Sequence, residues 1–201
     1  MNYDLEMEKQ ISNLEEGSKL LLHACCAPCS SAVLSRLANF FKISILYYNP
    51  NITEETEYRK RIDELKRFVS VFKTKYPVEI IEGEYDPNIF LNMAKGLELE
   101  PERGKRCYEC YKLRLEETAK QAELLGFDNF ATTLTLSPHK NANWINEIGE
   151  ELNKKYKSNY LYSDFKKKEG YKKSIELSRE YNLYRQDYCG CIYSKRNRQD
   201  H

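Results

Sequence analysis

The chain has 201 residues, of which 31% are charged, and a formal net charge of +1. No global basic excess announces a nucleic-acid partner, so any such surface must come from local clusters. No apolar run approaches a membrane span, and the first ten residues carry acids where a signal peptide has a basic and then an apolar stretch, which predicts a cytosolic protein with no membrane partner.

The length suits one domain, residues 1–201. Residues 1–18 predict a short amphipathic helix with Leu5, Ile11 and Leu14 as its apolar contacts and Gly17 as its stop. Leu20, Leu21 and Leu22 form the apolar run of a buried parallel strand that ends in His23, Cys25, Cys26 and Cys29. Pro28 suits the first turn of the helix that follows. Residues 42–49 make a second strand, and its end delivers Tyr47, Tyr48, Asn49 and Asn51 to the same sheet edge; Asn49 and Asn51 are candidate substrate-binding residues. Thr53 followed by acids opens a long helix with Ile62, Leu65, Phe68, Val69 and Phe72 at helical spacing, ending near Tyr76.

Residues 78–81 predict a third strand, Asp86 caps a brief helix ending near Gly96, and the polar stretch 97–106 is a loop. Cys107 and Cys110 then open an amphipathic helix with Leu113, Leu115, Ala119, Ala122 and Leu125 as apolar positions and Gly126 as its stop. A strand over 129–134, a helix over 142–156 and a strand over 160–163 complete the alternation. The pattern predicts an α/β fold with a single doubly wound, mainly parallel, Rossmann-like sheet and right-handed crossovers. The tail differs: residues 165–173 are basic, 175–181 read as helix, and Cys189, Gly190 and Cys191 precede a basic end at Lys195, Arg196 and Arg198.

In the cytosol thiols stay reduced, so seven cysteines point to metal or redox chemistry rather than a disulfide framework. One cysteine is ordinarily a small buried hydrophobe; three within five residues beside a histidine, at the edge where α/β sheets bind ligands, make a site. Two CxxC pairs, Cys26 with Cys29 and Cys107 with Cys110, allow several thiolates to reach one centre. A structural zinc and an iron–sulfur cluster both satisfy that spacing. Cys189 and Cys191 allow three roles: a strained, labile disulfide, approach to the same centre, or two unreactive thiols. His23 and His139 suit an anchoring hydrogen bond as well as proton donation or metal binding. The basic clusters at 59–61, 103–106, 166–173 and 195–198 are solvated faces by default; with the tyrosines they would also make a phosphate-tracking rim around a flipped nucleotide.

Six blocks in order, HACCAPCS at 23–30, YYNPNI at 47–52, RCYECYKLRL at 106–115, TTLTLSPHKN at 132–141, FKKKEGYKKS at 165–174 and YCGCIYS at 188–194, resemble the QueH-type epoxyqueuosine reductases. The resemblance implies the last step of queuosine biosynthesis: two-electron reduction of the epoxide of epoxyqueuosine, at the wobble position of tRNA with a GUN anticodon, with loss of water. It implies an iron-sulfur enzyme with a 4Fe-4S cluster, a neighbouring mononuclear metal ion (iron), no cobalamin, and an electron donor of ferredoxin or flavodoxin type. It also implies a fold similar to the PP-loop class, although HACCAPCS replaces the phosphate loop and argues against ATP. Carried onto this chain, Cys25, Cys26, Cys107 and Cys110 are the first choice of cluster ligands with Cys29 as the exchange, and Cys29, Cys189 and Cys191 are left for the second metal or a redox-active pair. The proton donor would be His23, His139 or Tyr111, and Lys166, Lys167 and Lys168 would belong to the tRNA rim. Two competing readings are a zinc-stabilised nucleic-acid-binding module and a PP-loop-like tRNA-modifying enzyme.

Overall fold

The computed structural model describes residues 1–199, with backbone alone for 197–199, so the side chain of Arg198 in the expected basic end lies outside the described residues. Five strands, β1 (Ser18–His23), β2 (Phe41–Tyr47), β3 (Glu79–Glu82), β4 (Asn129–Thr132) and β5 (Asn159–Tyr160), form one sheet in the order β3-β2-β1-β4-β5. Every pairing is parallel. The helices are α1 (Tyr3–Ser12), α2 (Ala27–Leu37), α3 (Glu55–Val71), α4 (Pro87–Met93), α5 (Lys105–Leu125), α6 (Ala142–Lys155), α7 (Gly170–Glu180) and α8 (Ile192–Gln199).

Alternation along the central strands sorts the helices onto two faces, because successive side chains of a strand point to opposite sides. Leu20 and Leu22 of β1, with Ile43 and Ile45 of β2, pack against Met7 of α1, Val33 and Leu37 of α2 and Ile62, Leu65 and Phe68 of α3. Leu21, Leu46 and Phe130 point the other way, onto Leu115, Ala119 and Ala122 of α5 and Ile145, Ile148 and Leu152 of α6. Strands buried on both faces explain why β1 reads as an unbroken apolar run.

Several expectations shift in register. The first helix is shorter than residues 1–18 and turned differently: Leu5 is 53% exposed while Met7 is fully buried. Asp4 causes this, since its ion pair with Arg36 of α2 at 2.6 Å pins the face carrying Asp4 and Met7 inward. In α5 the buried face is Cys110, Tyr111, Arg114, Leu115, Thr118, Ala119 and Ala122, whereas Leu125 is exposed and Leu113 only half-buried. β4 stops at Thr132 because the Thr132 hydroxyl accepts from the Leu134 amide and turns the chain into a 3-10 turn over Thr133–Leu136. The long helix α3 begins after Glu54 rather than on a Thr53 cap and ends at Val71, short of Tyr76. β5 is limited to two residues, and α7 starts five residues before the expected 175.

Gly149 on α6 lies against the Tyr160 ring so closely that an added Cβ would stand 2.3 Å from it. In an open helix Gly→Ala gains about 1 kcal/mol; here the ring is buried and bonded through its hydroxyl to Asn146, so it has no room to yield. Gly149→Ala is expected to reverse the usual sign and destabilise by about 2 kcal/mol in urea unfolding, the range of an overpacked core.

Candidate active site

The sheet order reverses direction between β1 and β4, and in open α/β sheets ligands bind in the crevice beyond the strand ends at that point. His23 and Thr132, the last residues of β1 and β4, are register partners there. His23 is fully buried, with Nε2 3.0 Å from the Tyr48 carbonyl and Nδ1 3.0 Å from the Thr132 hydroxyl. A carbonyl only accepts, so Nε2 carries the proton and Nδ1 accepts from Thr132. Burial, with Arg114 adding to it, pushes the His23 pKa down to about 4, so the ring is neutral. Its single N–H is spent on Tyr48 and the residue does not line the cavity, so it makes the anchoring hydrogen bond that was one of its readings. Asn49, also fully buried, donates to the Ala24 carbonyl at 2.9 Å.

Beyond this bridge lies a cavity of about 440 Å³. Cysteines reach its wall from three segments: Cys25 and Cys29 from the β1–α2 turn and first turn of α2, Cys107 and Cys110 from α5, and Cys189 and Cys191 from the tail. Cys26 completes the first group, its sulfur 3.8 Å from that of Cys25. The sulfurs of Cys25, Cys26 and Cys29 all lie within 4.8 Å of one another, the one such group of three or more potential ligands among the described residues. Thiolates bound at about 2.3 Å to one tetrahedral ion stand just under about 4 Å apart, so this trio fits a metal with little movement. Hydrogen bonding with Cys26 and Cys29 holds the Cys25 thiol well below its usual range, while the same bonds push Cys26 up to about 11 and Cys29 well up. Of the three thiols, Cys25 is the one whose ionised form the other two favour.

On α5, Cys107, Cys110, Tyr111 and Arg114 fall at helical spacing and share the cavity-facing side. Burial raises Cys110 to about 11, and the Cys107 sulfur accepts from the Arg103 amide at 3.3 Å. All seven cysteines are free thiols, so of the three roles open to Cys189 and Cys191 the disulfide is not the one seen. Burial raises Cys191 to about 12.

Arg61, 1% exposed, fixes the tail against α3. Its Nε donates to Glu57 at 2.7 Å, Nη1 to the Cys189 carbonyl at 3.1 Å and Nη2 to the Tyr188 carbonyl at 3.2 Å. Gly190 turns between the two cysteines at φ 115°, and an added Cβ would meet Ile52 at 2.9 Å. Arg106 spends Nη1 on the carbonyls of Leu97, Glu98 and Glu100 and so ties down the loop before α5.

Of the other expected residues, Tyr111, Asn51 and His139 line the cavity. Asn51 is 1% exposed and neither its amide nitrogen nor its oxygen has a partner. His139 is exposed, with Nδ1 2.6 Å from the Arg103 guanidinium. Lys166 pairs with Asp164 at 3.0 Å, Lys168 pairs with Glu8, and Lys167 is exposed; none of the three lines the cavity. Arg61, from the basic cluster at 59–61, reaches the cavity, whereas Arg114 and Lys140 were not expected at the site. For Arg114 the signal was present in its spacing from Cys107 and Cys110; for Lys140 no local pattern marks it.

A family model described as epoxyqueuosine reductase QueH matches residues 20–197. The chain belongs to the QueH family. Epoxyqueuosine reductases QueH of Streptococcus pyogenes serotype M1 and Staphylococcus epidermidis are 45% and 47% identical to it, each over 96% of this chain and over 78% and 84% of the relative. The QueH of Thermotoga maritima is 33% identical over 90% of this chain and 92% of its own length. The homologues are thus named as oxidoreductases, and a cysteine group able to hold a metal is the chemical core of this QueH chain's cavity.

His23→Ala leaves the Thr132 hydroxyl and the Tyr48 carbonyl without their partner and opens a buried hole. It is expected to cost about 3 kcal/mol by urea unfolding; stability equal to the parent would remove the bridge from its role.

Proposed function

We propose that this chain reduces the epoxide of epoxyqueuosine in tRNA to the alkene of queuosine, using iron held by its cysteines. The observation that carries this is the convergence of thiols from three chain segments on one cavity at the sheet's ligand-binding edge. Membership of QueH supports the substrate. The reaction breaks both C–O bonds of the epoxide oxygen, forms one C=C bond, takes in two electrons and two protons and releases water.

Five thiols, Cys25, Cys26, Cys29, Cys107 and Cys110, come from the two segments carrying CxxC pairs, one more than a four-iron cluster takes. We assign Cys25, Cys26, Cys107 and Cys110 to a 4Fe-4S cluster, with Cys29 as the exchange. Cys29, Cys189 and Cys191 are left for a mononuclear iron. When bound, such a centre supplies single electrons at low potential, replenished by a ferredoxin- or flavodoxin-like donor. The protein's own groups hold the substrate and move protons. Tyr111 faces the cavity with its pKa raised by burial, so it stays protonated and able to donate to the departing oxygen. His139 at the mouth is a second donor. Asn51, with a free donor and a free acceptor, is suited to read a hydroxyl of the cyclopentane ring. Lys166, Lys167 and Lys168 would contact tRNA phosphates outside the cavity. No helix of the described residues is long and apolar enough to cross a membrane, and we place the reaction in the cytosol.

Anaerobically purified protein is expected to be brown and to carry about four irons and four sulfides per chain, plus further iron for the second ion. Cys107→Ser should lose the cluster and turnover together. Stoichiometric zinc without sulfide after reconstitution would return the chain to a nucleic-acid-binding module. Replacing Lys166, Lys167 and Lys168 together by Gln should weaken tRNA binding and lower the slope of log affinity against log salt by up to about 3, roughly one per phosphate contact. An unchanged slope would take these lysines out of the interface.

A further inference from the structure

Two cations stand among the thiols without a role in binding or fold. Arg114 is 1% exposed; its Nε donates to the Cys110 carbonyl of its own helix at 3.2 Å, but its buried Nη2 has no hydrogen-bond partner. Lys140 also lines this cavity, half-buried, after the turn that follows β4. A guanidinium buried without a counter-charge costs several kcal/mol, so the negative groups that face it decide why it is there.

The titratable groups that act most on Arg114 are Cys110, Cys189, Cys25 and Tyr111, and on Lys140 they are Cys189, Cys25, Cys29 and Tyr111. No carboxylate is among them. Both cations line the one cavity to which cysteines come from all three chain segments, Cys25 and Cys29, Cys107 and Cys110, and Cys189 and Cys191. The two side chains therefore answer to the cysteine group as a whole and not to one partner. Arg61 also faces Cys26 and Cys25, but its guanidinium is engaged by Glu57 and the Tyr188 and Cys189 carbonyls, and Arg106 gives Nη1 to loop carbonyls.

We propose that Arg114 and Lys140 are the charge-balancing residues of the cysteine centre, keeping its reduction favourable by offsetting the negative charge that thiolates and an added electron place in the cavity. This rests on the metal reading above. They are positioning residues, neither ligands nor substrate anchors. An electron entering a low-dielectric site is opposed by the charge already there, and each nearby cation lowers that opposition.

The test is the midpoint potential of anaerobically reconstituted protein, read by dye-mediated titration in the visible spectrum, with iron and sulfide measured on the same samples. Lys140→Gln and Arg114→Gln are compared with the charge-conserving Lys140→Arg and Arg114→Lys. The neutral variants are expected to keep iron and sulfide and to be at least tenfold harder to reduce, a shift of 59 mV or more to negative potential for one electron; the charge-conserving variants should recover most of it. Because Lys140 is half-buried, Lys140→Gln carries the test even where Arg114→Gln does not fold. Full iron at the wild-type potential in the neutral variants, or iron lost equally in the charge-conserving ones, overturns the proposal. Wild-type protein that takes up no iron overturns the metal reading itself, and the proposal with it.

Discussion

A neutral imidazole at the centre of the sheet is the constraint on which this site depends. Three strand ends, those of β1, β2 and β4, must stay in register if the loops leaving them are to frame one crevice, and side-chain packing alone does not define the last residue of a strand. His23 does so by linking the Tyr48 carbonyl beyond β2 to the Thr132 hydroxyl on β4. Asn49 adds a second tie, from the end of β2 to the Ala24 carbonyl beyond β1. The first cysteine of the cluster follows two residues after His23, so the ring's two hydrogen bonds fix where the thiols begin.

Charge within the cavity is organised by the same economy. The interior supplies few compensations for a buried ion, and the chain uses its cations in two distinct ways. Arg61 and Arg106 are consumed in holding loops: one clamps the tail against α3, the other clamps the loop before α5. Arg114 and Lys140 keep unspent capacity and face sulfur. The scaffold arginines thus bring thiols from distant segments together, and the remaining cations balance what those thiols carry.

Much of this was legible in the sequence, and what was not has physical causes. The apolar run before His23 and the β-branched run of 42–49 gave the two central strands because buried parallel strands need no alternation. Cysteine spacing located the site, since chemistry at a strand end follows from topology. The face of α5 was legible in part: Leu115, Ala119 and Ala122 are buried as expected, while Leu113 and Leu125 lie off the stripe, which continues instead through Cys110, Tyr111 and Arg114. Leu5 misled for a similar reason, because the Asp4–Arg36 ion pair overrides the apolar periodicity of α1. Roles that depend on a partner far along the chain, such as the Arg61 clamp on Cys189, leave no local trace.

That clamp has a consequence for how the protein is made. Cys25 leaves the ribosome 164 residues before Cys189, an interval of roughly 10 to 30 s at typical synthesis rates. The early thiols are in place long before the tail that closes their cavity can dock through Arg61 and Gly190. Assembly of the complete centre is therefore a late event, gated by the arrival of the last segment of the chain, and metal offered earlier meets an open site of the three early thiols, later joined by Cys107 and Cys110.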